Sequence, residues 1–201
     1  MPGMPPPAAD ERQTLIEFLA FQQNAFFSVA FGLTDEQARS TPSVSALSIG
    51  GLAKHAAGVQ KGWTDRMVAA PDFPPKDDRP MDVVMAEYQD QYVMRDDETL
   101  AGLLDALRAQ NEETLRVLKA ADLSTPVPVP HEVPWFPHDI DHWNVRWVAM
   151  HLIEELCRHA GHADIIRESL DRATMYELMA ANEEWPETDF IKRWRPASVV
   201  S

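Results

Sequence analysis

From Ser124 to Pro137 the chain reads Ser-Thr-Pro-Val-Pro-Val-Pro-His-Glu-Val-Pro-Trp-Phe-Pro, with five prolines in fourteen residues. Proline has no amide donor and its ring clashes with the preceding turn, so this span is neither helix interior nor central strand. It is a long loop. Proline punctuates the rest of the chain as well, sixteen prolines against eight glycines. Four prolines between Pro71 and Pro80 mark a second loop, and Pro5 to Pro7 fall in a leader, residues 1–9, expected to be disordered.

Between these breaks apolar residues recur every three or four positions, the period of a helix with one buried face. The first run starts at Asp10, passes through Leu15, Phe18, Leu19, Phe26 and Val29, and ends near Gly32. Ser48 is a good N-cap for a second run through Leu52, His55, Val59, Trp63 and Met67. A third covers Thr99 to Ala120 on a stripe of leucines, with a shorter piece from Val83 to Met94 before it. Asn144 caps a fourth that reaches about Leu170, and one more short helical piece follows Met175. No internal repeat and no alternating strand pattern accompanies them. The reading is an all-α fold: a four-helix bundle over residues 10–174, with the proline-rich loop before its fourth helix. Residues 175–201 are expected to pack on the bundle as an extension.

Composition removes several functions. Lys and Arg number 18 against 32 Asp and Glu, a net charge of −14, which repels phosphate backbones and anionic lipid. Nucleic acid and membrane surfaces are therefore not the expected partners. The start of the chain does not read as a secretory signal, and no stretch approaches the length of apolar sequence a membrane span needs. A single cysteine, Cys157, excludes an internal disulfide framework and fits a reducing compartment, so a cytoplasmic location is expected.

The chemistry concentrates in the fourth helical run, Arg146-Trp-Val-Ala-Met-His-Leu-Ile-Glu-Glu-Leu-Cys-Arg-His-Ala-Gly-His-Ala-Asp164. On a helical wheel His151, Glu155, His159 and His162 fall within an arc of roughly 80°. Three imidazoles and a carboxylate on one stripe are costly to bury unless something binds them. One helix offers two adjacent ligands at i and i+4, so a third donor must come from elsewhere, and His55 in the second run is the candidate. Two His nitrogens and a carboxylate oxygen suit catalytic zinc, with iron or nickel also accommodated.

Leu52-Ala-Lys-His55 with Trp63 eight residues on, together with Glu155-x-x-x-His159-Ala-Gly-His162-Ala-Asp164, resembles the DinB/YfiT-like superfamily. The likeness is closest to its actinobacterial branch, the DUF664 group, which is similar to mycothiol-dependent maleylpyruvate isomerase and mycothiol S-transferases. It extends from about Glu11 to Tyr176 and includes Gly32-Leu-Thr-Asp-Glu-Gln-Ala and Ser48-Ile-Gly-Gly-Leu. The resemblance implies a four-helix bundle holding a divalent metal, usually zinc, between its second and fourth helices. Carried over by position, the ligands are His55, Glu155 and His159. His162 stands where many relatives have Gln, and is read as a neighbour of the ligands or a substrate contact. Asp171-Arg-Ala-Thr departs from an expected Asp-Gly, a difference confined to the turn. The larger C-terminal domain of the isomerase has no counterpart, which argues against that reaction.

Two functional classes follow. In the first, the protein is a metal-dependent thiol S-transferase that activates a low-molecular-weight thiol, mycothiol by resemblance, for attack on a small electrophile. His162, His151 and Arg158 would position thiol or substrate, although Arg158 also reads as an ion-pair partner of Glu154. Metal-assisted hydrolysis is a related option. In the second class the bundle binds a metal or small ligand without catalysis, or mainly dimerises; a homodimer is open in either case. Cys157 points away from Glu155 around the helix and reads as a buried, inert thiol. Trp63 and Trp147 read as core or pocket wall. His131, His138 and His142 in the proline loop read as surface histidines or a pocket lid. No His-Glu-x-x-His or Glu-x-x-His pair occurs, and Gly50-Gly51 lacks a phosphate-binding fingerprint.

Overall fold

Each of the four long helices begins where a side chain accepts a hydrogen bond from the first turn. Asp10 caps α1 (Glu11–Ala30) and Ser48 caps α3 (Ile49–Ala69). Thr99 caps α5 (Leu100–Ala120) and Asn144 caps α6 (Val145–Asp171). Each cap satisfies an amide that the helix cannot pair internally, which contributes about 1 kcal/mol. The structure, a computed structural model, describes residues 3–196. Met1 and Pro2 of the expected leader, and residues 197–201 of the extension, lie outside the described residues.

The long helices form a closed ring: α5 packs on α3 and α1, and α6 packs on the other flank of both. Leu19, Phe26, Leu52, Leu107, Leu118, Leu152 and Leu156 are fully enclosed where the four apolar stripes meet. Burial of one such side chain contributes roughly 1.5–3 kcal/mol, and this sets the ring closure. A polar layer crosses the core, with Gln23 donating to Gln60 at 2.7 Å and Gln60 donating to Asn111 at 2.8 Å. Such a satisfied buried network favours one helix register over its neighbours. The all-α bundle with a proline-rich loop before its last long helix is therefore the fold.

Shorter elements fill the connections. α2 (Asp35–Arg39) opens with a capping box between Thr34 and Gln37, a signal present in the sequence but not assigned to a helix above. α4 (Met81–Asp90) has no buried residue. The proline loop contains a two-stranded antiparallel ladder, β1 (Pro126–Pro128) against β2 (His142–Asn144), with Val127 opposite Trp143. Both strands of a two-stranded ladder are edges, so the prolines can face their missing donors outward. α7 (Met175–Asn182) packs against α1, burying Leu178, Met179 and Ala180. Beyond it, the Trp194 ring meets Phe31 edge-on and lies under the Arg167 guanidinium. No helix among the described residues is long and apolar enough to cross a membrane.

Candidate metal centre

His55 lies in the second turn of α3 and is 2% exposed; Glu155 and His159 lie one turn apart on the facing side of α6. Glu155 Oε1 is 3.5 Å from His55 Nε2 and 3.3 Å from His159 Nε2. One donor atom from each residue falls within 4.8 Å of the other two. His55 also contacts His159 ring to ring, 4.6 Å between centroids. Trp63 of α3 meets His151 of α6 at 4.8 Å, so the two helices run antiparallel across the site.

The spacing tests whether a cation fits. Nitrogen–oxygen separations of 3.3 and 3.5 Å are longer than a good hydrogen bond. Donors around a tetrahedral zinc, at 2.0–2.1 Å each, are roughly 3.3 Å apart. Both nitrogens of His55 and Nδ1 of His159 are buried without a hydrogen-bond partner, a cost that a bound cation at Nε2 would offset. The Glu155 carboxyl is held well below the usual carboxylate range by the imidazoles of His159 and then His55, against the opposing effect of burial. It is therefore an anion at neutral pH, as a ligand must be. The donor set fits a divalent cation.

The other stripe residues lie outside this cluster. His151 is one turn before Glu155, stacked on Trp147 at 5.1 Å, with Nδ1 3.5 Å from the Glu154 carboxylate. His162 is exposed, its ring 5.6 Å from that of His159. Arg158 is exposed and pairs with Glu154 at 2.9 Å, the ion-pair alternative noted above. His131 and His138 approach each other at 6.0 Å, but among the described residues no third donor completes a metal-ligating group with them.

Residues 14–172, most of the chain, match the sequence pattern of the mycothiol-S-transferase family. The chain belongs to that family. Among solved structures it is similar to a conserved protein from Enterococcus faecalis, with 18% identity and a TM-score of 0.52, covering 81% of this chain and 98% of the other. At that identity the likeness concerns the fold alone. No curated protein matches the sequence.

In this mycothiol S-transferase family member the site has two further features, the first not disclosed by the sequence and the second read from it only in part, as a pocket wall at Trp63 and Trp147. The first is Tyr92, whose ring stacks on His55 at 4.2 Å and 21°. Burial, followed by the nearby Tyr88, pushes its phenol pKa up, so it stays neutral. The turn carrying Tyr92 is tied to α3 by Lys54, which reaches Asp90 at 2.6 Å and Glu98 at 2.7 Å. It approaches because Gly50 and Gly51 have no side chains: a Cβ on Gly51 would strike the Tyr92 carbonyl, and one on Gly50 the Met94 sulfur. Close backbone approach is what the glycine pair provides.

The second is an aromatic cleft of about 650 Å³ whose walls include Trp63, Phe136, Trp143, Trp147 and His151. Trp143 and Trp147 stack at 4.8 Å, and Trp63 meets both edge-on or tilted. His151 lines the cleft and precedes Glu155 by one turn, so the cleft lies along the helix axis from the triad. The expectation for Cys157 requires correction, since the thiol is exposed. It faces a gap between α6, α1 and α7, which the helical wheel alone does not disclose.

Proposed function

We propose that the protein is a divalent-metal-dependent thiol S-transferase, with His55, Glu155 and His159 as ligands. The observation that carries this reading is the convergence of three donor atoms within 4.8 Å from two helices, in a chain of the mycothiol S-transferase family. Three donors is the count of a site that leaves a position for substrate. Zinc suits two imidazoles and a carboxylate; iron and nickel are also accommodated.

When bound, a divalent cation supplies Lewis acidity, which lowers the pKa of a low-molecular-weight thiol toward neutrality. The thiol, mycothiol or one like it, gives its S–H proton to solvent. Its sulfur then forms a C–S bond with an electrophilic carbon, whose leaving group departs with the bonding electron pair. Glu155 would contribute one negative charge against the two of a divalent cation, so an occupied site would stay cationic and favour the thiolate over the thiol. Tyr92 holds the His55 ring by stacking and excludes water from its face. The aromatic cleft beside His151 is the place for the electrophile, and its ring walls favour a flat, apolar molecule. In this reading His151, between cleft and triad, orients the incoming group, and the exposed His162 contacts the thiol's polar body.

Elemental analysis of protein purified without added metal or an affinity tag tests the centre. About one zinc, iron or nickel per chain is expected in the wild type and none in His159→Ala. Conjugation of a small aromatic electrophile should require both thiol and metal, and Trp143→Ala should raise its KM several-fold. A metal-free wild type that gains nothing on reconstitution would end this reading. Metal without thiol-dependent conjugation would leave a non-catalytic binding bundle.

A further inference from the structure

On the side of α6 opposite Glu155 and His159, a cavity of about 270 Å³ opens between α6, α1 and α7. Its walls are mainly apolar, including Phe21 and Ala25 of α1 and Met175, Leu178 and Met179 of α7. Asp164 is the one charged residue that lines it. The Asp164 carboxylate is half-buried and makes no hydrogen bond or ion pair with any described residue. No Lys, Arg or His lines the cavity to balance it. Arg167, one turn away, is committed to Asp171 and to the Val29 and Phe31 carbonyls.

An unpaired charge facing apolar walls is costly, whereas a partly buried pair such as Lys54 and Asp90 satisfies both groups. Burial, helped by Glu168, pushes the Asp164 pKa up to about 6, so the group is still ionised at neutral pH. Gly161 adds a second observation. It lines the cavity, and a Cβ built there meets nothing within 4 Å, so close helix packing does not require the glycine. Its effect is to leave the space open.

We propose that this cavity is a second binding site, separate from the histidine triad, for a small apolar ammonium: a protonated amine on Asp164 with its hydrocarbon body against Met175, Leu178 and Met179. The volume lies at the small end of ligand pockets and suits a molecule the size of benzylamine. The net charge of −14 concentrates such cations near the surface.

Cys157 lines the same cavity and is the chain's single thiol, so it reports occupancy directly. The rate at which dithiodipyridine modifies Cys157 is measured in the whole protein at pH 7.5, with benzylamine or benzyl alcohol added. Benzylamine should slow modification saturably, by threefold or more, while benzyl alcohol at the same concentration has little effect. Asp164→Asn should remove the difference between the two probes. Gly161→Leu should fill the cavity and abolish protection while the fold keeps its wild-type helical circular dichroism and Tm. Equal protection by amine and alcohol would overturn the ammonium assignment. Absence of protection, or protection that survives in Gly161→Leu, would overturn the site.

Discussion

Glu155 and His55, one hundred residues apart in the chain, meet across α6 and α3 with Oε1 and Nε2 separated by 3.5 Å. The contact is too long for a strong hydrogen bond and places an anion against a histidine that has no other polar partner. A cation ligated by both residues would add to the folding free energy, because the unfolded chain does not hold the donors together. A strong chelator should therefore lower the wild-type Tm by roughly 5 °C or more, given 2–4 °C per kcal/mol for a domain of this size. His55→Ala should unfold at the same temperature with or without chelator. Differential scanning calorimetry makes the comparison, and a wild-type Tm insensitive to chelator would count against the metal centre.

The glycine pair gives an independent check on the Tyr92 turn. Gly51→Ala places a methyl group against the Tyr92 carbonyl, which must move because backbone cannot swing aside as a side-chain tip does. Overpacking of this kind costs about 1–3 kcal/mol. Gly62→Ala, in the same helix with nothing within 4 Å of its Cβ, should stabilise by about 0.5–1 kcal/mol through helix propensity. Urea unfolding of both variants should move in opposite directions. If Gly51→Ala is as stable as Gly62→Ala, the close approach is not real.

The contrast between these glycines shows what can be read before the fold is known. The helix positions, the caps Ser48 and Asn144, and the His151–Glu155–His159–His162 stripe follow from spacing, because a helix repeats on a fixed angle. His55 is the candidate third donor from its place in the second helical run, and the family resemblance supports it, since periodicity within one helix does not say which helix faces it. Tyr92 follows α4, a helix with no buried residue, and the turn that carries it is tied to α3 by Lys54 through Asp90 and Glu98. That relationship between distant segments has no local signature. The β1–β2 ladder was hidden for another reason: proline excludes central strands but permits a pair of edges. Cys157 shows the limit of the wheel, which places it opposite Glu155 but does not say that α7 leaves a gap there.

Arg172 ends α6 in the left-handed region at φ 65°. A residue with a Cβ pays about 1–2 kcal/mol in that conformation, and glycine does not. This is the position where the resemblance leads to an expected glycine, so the arginine found there carries a conformational cost. Glycine loses about 0.5–1 kcal/mol of that advantage to its freer unfolded chain. Arg172→Gly should thus stabilise the protein by about 0.5–1 kcal/mol in urea unfolding. A destabilised variant would mean that the Arg172 side chain makes contacts that outweigh its backbone strain.

Asp164 predicts a pH dependence of the opposite sense to that of most carboxylates. Its pKa, raised by burial and by Glu168 to about 6, lies above the ordinary value of 3.8. A group whose folded pKa is raised favours folding most below its unfolded value, and the benefit disappears as pH climbs through the folded value. Above pH 6 the ionised carboxylate therefore weakens the fold relative to a neutral residue of the same shape. Discounting for partial exposure, Asp164→Asn should be more stable than wild type by about 1–2 kcal/mol at pH 8. The gap should narrow between pH 6 and 4 and close below that, because the wild-type side chain is then neutral too. Urea titrations of both proteins at pH 4, 5, 6 and 8 cancel the acid sensitivity they share. A gap that stays constant across this range would mean that the charge is well solvated, and the cavity would lose its only reason to attract a cation.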